Sequence, residues 1–185
     1  IGRMLDAIEA SGEVDNTLVV FTSDNGGHPE YTANGPFRGS KWNLYEGGIR
    51  VPMLVRWPNQ IASGTTVDQP AIGYDLHTTF ASAAGASANE TDGTNLLALM
   101  VERENLADRR LVWHFPYYHP EKSYAEAPDN IGVNDGYTPR SKPHSAIREG
   151  EWTLFGVYES DRGERDTLSS ALDVAVVVGS TDAGV

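Results

Sequence analysis

Asp24-Asn25-Gly26-Gly27 closes the apolar run Thr17-Leu18-Val19-Val20-Phe21-Thr22-Ser23. Two oxygen-bearing side chains therefore stand where a buried strand would emerge into a glycine-rich loop, the end at which open α/β sheets place their ligands. Taken alone, Asp-Asn-Gly is equally the composition of a tight turn. A second segment follows, Phe37-Arg38-Gly39-Ser40-Lys41-Trp42-Asn43-Leu44-Tyr45-Glu46-Gly47-Gly48-Ile49-Arg50-Val51-Pro52. It supplies the cations Arg38, Lys41 and Arg50, with Gly47 and Gly48 allowing close backbone approach. Oxygen donors beside cations suit the chemistry of an anionic ester. Lys41 taken alone reads equally as a solvated loop lysine, and Glu46 with Arg50 reads as a partly buried ion pair or loop staple.

The elements that must position these residues alternate at first between helix and strand. Arg3 to Ala10 carries apolar residues at helical spacing and stops at Gly12. Val14 to Thr22 is β-branched and nearly continuous in apolar character, the pattern of a strand covered on both faces in a parallel sheet. Residues 24–48 read as a long loop, and loops of that length inside compact domains are usually functional. Val51 to Pro58 reads as a second buried strand, and Tyr74 to Ala84 as a helix packing Leu76, Phe80 and Ala83 with Gly85 as its stop. The polar stretch Ser87 to Thr94 is the best crossing between subdomains. Beyond it the pieces are shorter and β-like: Arg110 to Phe115, then Ser145 to Phe155 with a hairpin turn at Glu149-Gly150-Glu151. The expected organisation is 1–88 as part of an α/β core, 89–158 as a small subdomain and 159–185 as a tail of unsettled structure.

From Leu5 to Pro58 the sequence closely resembles the sulfatase family of the alkaline phosphatase superfamily. That family runs from a helix into a T-L-V-V-F-T-S-D-N-G strand and on to a G-x-K-x-x-x-Y/W-E-G-G-x-R-V-P segment, and every element is present in order. Trp113-His114-Phe115-Pro116-Tyr117-Tyr118-His119 and Ser145 to Leu154 are similar to its later W-H-x-P-x-Y and S-A-I-R-x-G-x-W-K-L segments, so the likeness reaches about residue 158. The resemblance implies an alkaline-phosphatase-like α/β sandwich domain followed by a small subdomain with an antiparallel sheet. It implies hydrolysis of sulfate monoesters, sulfated carbohydrates among them, with calcium rather than magnesium held by Asp24, Asn25 and further upstream aspartates. Lys41 has the spacing of the family's sulfate-contacting lysine. His28, Arg38, His114 and His119 are candidates for the substrate side, Tyr117 and Tyr118 could stack on a sugar or pack in a core, and His77 and His144 have no assigned role.

The family's nucleophile is a formylglycine made from Cys or Ser in a C/S-x-P-x-R motif, and this chain contains neither a cysteine nor Ser-x-Pro-x-Arg. Asn34-Gly35-Pro36-Phe37-Arg38 has Pro and Arg at the right offsets, but an Asn cannot be oxidised to the aldehyde. The expectation is that formylglycine and the general acid belong to a missing N-terminal part, since residue 1 opens in mid-helix with no Met or signal peptide, and that the chain alone is inactive. Two other readings stay open: a phosphonate or phosphate monoester hydrolase of the same superfamily, and a non-catalytic pseudo-enzyme or binding fragment.

Composition bounds the rest. The formal charge is −12, from 14 basic and 26 acidic residues. That argues against nucleic acid, whose phosphates demand clustered Lys and Arg, and a sulfated substrate would meet general repulsion that local cations must overcome. No apolar run approaches the roughly 18–20 residues that span a bilayer. The absence of cysteine says little of compartment. Only the resemblance suggests a periplasmic, secreted or lysosomal setting, and oligomeric state is not legible. The sequon Asn89-Glu90-Thr91 is a weak signal.

Overall fold

The computed structural model describes residues 1–28, 31–116, 143–157 and 174–178. In chain order the elements are helix α1 (Gly2–Ala10), a 3-10 turn (Val14–Asn16), strand β1 (Val19–Thr22), a short helix α2 (Glu46–Ile49), β2 (Met53–Arg56), α3 (Asp75–Ala83), a π-helical turn (Ala98–Glu102), β3 (Arg110–Phe115), β4 (His144–Glu149), β5 (Trp152–Val157) and β6 (Val174–Val178). They form two compact units, one of Ile1–Thr22 with Pro52–Ala107 and the other of Ser23–Val51 with Asp108–Val185. Both units are discontinuous in sequence.

In the first unit α1 ends as its sequence demands, with Gly12 at φ 77° just past it. The strand expected over Val14 to Thr22 is shorter, because Val14–Asn16 winds into a 3-10 turn. β1 and β2 pair antiparallel rather than within a parallel sheet, with Phe21 opposite Leu54. These two side chains are 46% and 65% exposed, so neither strand is buried on both faces. Among the described residues no third strand joins this pair, and an apolar run reports affinity for burial rather than burial itself.

α3 forms where expected but turns a different face inward. Asp75 and Thr79 are buried, one helical turn apart, whereas Phe80 is 44% exposed. Polar groups can occupy the interior here because each is satisfied. The Asp75 carboxylate accepts the backbone N–H groups of Ile72 and Thr94, both at 2.9 Å, in the first turn of a helix where negative charge is favoured. Thr79 Oγ1 donates to the Asp75 carbonyl at 2.8 Å and accepts the Leu96 N–H at 2.9 Å. This polar seam ties residues 94–96 to the helix.

The second unit is built on the antiparallel sheet β3-β4-β5-β6. Its hairpin between β4 and β5 turns at Gly150, φ 57°, within the Glu149-Gly150-Glu151 turn expected from sequence. Alternation sorts the strands: Leu111, Ala146 and Phe155 are buried, while their neighbours Val112, Ile147 and Leu154 align across the sheet on the exposed face. The buried face holds Leu44 with Tyr45 and Ile49 packed beside it, so the chemistry-bearing loop sits on the sheet's inner side. Within the tail, Val174–Val178 extends the sheet by pairing with β5.

Candidate active site

The loop between β1 and β2 belongs to the second unit and is ordered by backbone contacts. The Gly26 N–H donates to the Gly48 carbonyl at 2.8 Å, the Lys41 N–H to the Gly27 carbonyl at 3.0 Å, and the Gly47 N–H to the Arg38 carbonyl at 2.6 Å. Buried Gly26 lies so close to Gly47 and Gly48 that an added Cβ would overlap the Gly47 carbonyl. The Asn34 side chain completes the weave: Oδ1 accepts the Gly27 N–H at 2.7 Å, and Nδ2 donates to the carbonyls of Gly27 at 3.0 Å and Gly39 at 3.3 Å. The residue at the head of Asn34-Gly35-Pro36-Phe37-Arg38 is thus a loop brace. The long loop expected over 24–48 ends in the helical turn of α2.

These bonds lay the two sequence segments side by side. Asp24 is exposed and Asn25 half-buried, and neither side chain makes a hydrogen bond or ion pair with another described residue. A carboxylate and an amide carbonyl are the hard oxygen donors that calcium takes, but they supply only two of about six to eight ligands. Among the described residues no cluster of three or more His, Cys, Asp or Glu completes a shell. The pair therefore fits a calcium site by kind of atom and would make up only part of one.

Around it, Lys41 is half-buried with its ammonium 5.1 Å from the centre of the Trp42 ring. Trp42 is held at φ 78°, a sparsely populated conformation for a bulky residue. His28 lies 4.7 Å from the Trp42 ring, edge to face, and 4.8 Å from Tyr31. His28 and Lys41 are therefore joined through Trp42. Arg38 spreads its guanidinium 4.1 Å from the Tyr45 ring centre, and Arg50 does the same at 4.5 Å over Phe37. Arg50 also pairs with Glu46 at 3.1 Å, the staple expected from sequence. His114 stands on β3 with Nδ1 2.7 Å from Oγ of its cross-strand partner Ser145. His119, Tyr117 and Tyr118 lie outside the described residues.

Two residues were missed by sequence reasoning. His144 is 3% exposed, its Nε2 accepts the Leu44 N–H at 3.1 Å, and its ring lies 5.3 Å from Phe115 and 5.1 Å from Phe155. Arg148 reaches Glu46 at 2.7 Å. Strand alternation puts His144, Ala146 and Arg148 on one face of β4, but it is the burial of Ala146 in the structure that identifies this face as the inner one.

Residues 1–86 match the family model described as Sulfatase. Human steryl-sulfatase is 32% identical over 157 residues, covering 77% of this chain and 27% of that protein. A sulfatase of Formosa agariphila is 36% identical over 189 residues, covering 93% of this chain and 32% of that protein. The chain thus spans about a third or less of the length of these relatives. Among solved structures, Ps i-CgsB in complex with k-i-k-neocarrahexaose superposes with a TM-score of 0.65 at 30% identity, covering 83% of this chain and 30% of that one. The helices and antiparallel sheets described above are accordingly part of an alkaline-phosphatase-like fold, and the chain belongs to the sulfatase family.

Proposed function

We propose that this chain supplies one side of the active site of a sulfuric ester hydrolase, with a sulfated carbohydrate as substrate. The observation that carries the reading is the backbone weave, in which Gly26–Gly48 and Gly27–Lys41 bonds hold the Asp24-Asn25 pair beside the lysine segment. Asp24 and Asn25 would hold a divalent cation, calcium by the nature of their donors, which would offset charge on the sulfate's non-bridging oxygens. Lys41 contacts the same sulfate and stabilises the oxygen that departs as the S–O bond breaks. Its backbone is fixed before substrate arrives, so little reorganisation is needed at the moment of reaction. His28, joined to Lys41 through Trp42, borders the substrate side, with Arg38 and His114 as further contacts and His119 in the same role. The nucleophile, formylglycine, and the general acid come from outside this chain, and the isolated chain turns over no sulfate ester. A carbohydrate substrate finds support in the neocarrahexaose bound to Ps i-CgsB.

The test is turnover of sulfate and phosphate monoesters by the full-length enzyme and its Lys41→Ala variant. Loss of a charge-stabilising donor should lower kcat for the sulfate ester by about 10²–10³-fold. Unchanged sulfate turnover in the variant would overturn the role of Lys41, and faster hydrolysis of the phosphate ester would replace the sulfatase reading with a phosphoryl one.

A further inference from the structure

We propose that His144 and Arg148 on β4, with Glu46, are positioning residues for Lys41, a proposal that rests on the catalytic reading of that lysine. Three consecutive residues just past Lys41 are each gripped by the sheet in a different way. Leu44, buried, gives its backbone N–H to His144 Nε2 at 3.1 Å. Tyr45 stacks on Phe155, with centroids 4.3 Å apart and planes 15° from parallel. Glu46 receives Arg148 Nη1 at 2.7 Å, the two side chains being 15% and 21% exposed. His144 and Arg148 are four residues apart on a strand and so face the same way, and Ala146 between them is small enough for the loop to lie down on β4.

The first and third grips are costly to break. A buried N–H left without an acceptor loses its solvation with nothing in return, and here the acceptor is a ring wedged between Phe115 and Phe155. Because that nitrogen accepts a hydrogen bond, the ring proton sits on Nδ1. Glu46 is shared by Arg148 and Arg50, so removing Arg148 leaves a largely enclosed carboxylate with only the more exposed arginine.

These grips reach Lys41 through one stiff turn. Asn43 Oδ1 accepts the N–H groups of both Ser40 and Tyr45 at 3.3 Å, and the Asn43 N–H returns to the Ser40 carbonyl at 3.2 Å. Lys41 lies inside this turn, bonded to Gly27 on one side and, three residues on, fastened through Leu44 to His144. The lysine therefore stands where two tethers put it, one local and one about 100 residues away in sequence.

The experiment uses the full-length enzyme with His144→Phe, which keeps a buried ring but offers no acceptor, and with Arg148→Met and Arg148→Lys. Amide hydrogen exchange at Lys41 and Leu44 reports the tether, and exchange in β3 to β5 reports whether the sheet still folds. We expect faster exchange at Lys41 and Leu44 with the sheet still protected. Sulfate-ester kcat should fall by about 10–100-fold, the order of loss that small misplacement of a catalytic group produces, with KM changing less. Arg148→Lys, which keeps the charge, should recover part of both losses. Unchanged exchange at Lys41 and Leu44 overturns the tether whatever the turnover. Faster exchange with full kcat overturns the positioning role. Full kcat in Lys41→Ala would instead strike at the catalytic reading, and the exchange data would still decide the tether.

Discussion

Gly26→Ala is the most direct test of whether the backbone weave builds the loop. A methyl at this buried position would overlap the Gly47 carbonyl oxygen and come within 2.7 Å of its carbon and 2.9 Å of Gly48 Cα. Those are backbone atoms, so no side chain can swing aside. The two segments must separate, and the 2.8 Å bond from the Gly26 N–H to Gly48 lengthens or breaks. Overpacking of this kind costs about 1–3 kcal/mol and the lost hydrogen bond about 1 kcal/mol, together about 2–4 kcal/mol. At a urea slope of about 2 kcal/mol/M, the unfolding midpoint of the unit should drop by about 1–2 M. The matched control is Gly73→Ala, where a Cβ meets nothing within 4 Å and φ is not positive. There the substitution should be neutral or slightly stabilising, by up to about 1 kcal/mol. A second-unit midpoint left unchanged by Gly26→Ala, as it should be by Gly73→Ala in the first unit, would refute the weave as a load on Gly26.

Two further outcomes test the oxygen pair and the polar seam. An Asp24→Ala, Asn25→Ala enzyme should bind calcium more weakly by at least the roughly 10–100-fold that removal of even an outer partner brings, with an unchanged urea midpoint; calorimetric titration showing equal affinity would remove both from the metal shell. Asp75→Ala orphans the Ile72 and Thr94 N–H groups and should destabilise the first unit by about 2–5 kcal/mol, whereas Asp75→Asn, which keeps one acceptor, should cost less; a melting temperature unmoved by the alanine would show that the seam bears no weight.

What could be read in advance was whatever short-range pattern decides. The end of α1 follows from Gly12, the β4–β5 hairpin from the turn at Glu149-Gly150-Glu151, and the Glu46–Arg50 pair from opposite charges close together in one segment, read there as a loop staple. The face of α3 was misread because hydrophobicity favours Phe80, while the structure spends its interior on Asp75 and Thr79 to satisfy the backbone of residues 94–96. Nothing local signals that demand. His144 and Arg148 escaped for the same reason: a histidine gains a role only when the N–H it must accept is known, and Leu44 lies 100 residues away. Family resemblance singled out Asp24, Asn25 and Lys41 as candidates, but the bonds that lay their two segments side by side run through Gly26, Gly27 and Gly48, residues with no chemistry of their own.

Charge fits this division. The chain carries −12 overall, yet in residues 23–51 the basic Arg38, Lys41 and Arg50 balance the acidic Asp24, Glu30 and Glu46. The whole net charge therefore belongs to the other segments, and beyond a Debye length of about 8 Å at physiological salt their repulsion is largely screened. Capture of an anionic ester, as proposed, would then be decided by the few charges within that radius. Glu46 is already engaged by two guanidiniums, Arg50 and Arg148, whereas the exposed Asp24 carboxylate pairs with no other described residue. A divalent cation held there would reverse that sign beside Lys41. On the proposed reading the Asp24-Asn25 pair and the lysine would be one device: without the cation Asp24 would work against the anion proposed for Lys41, and with it the two would act together.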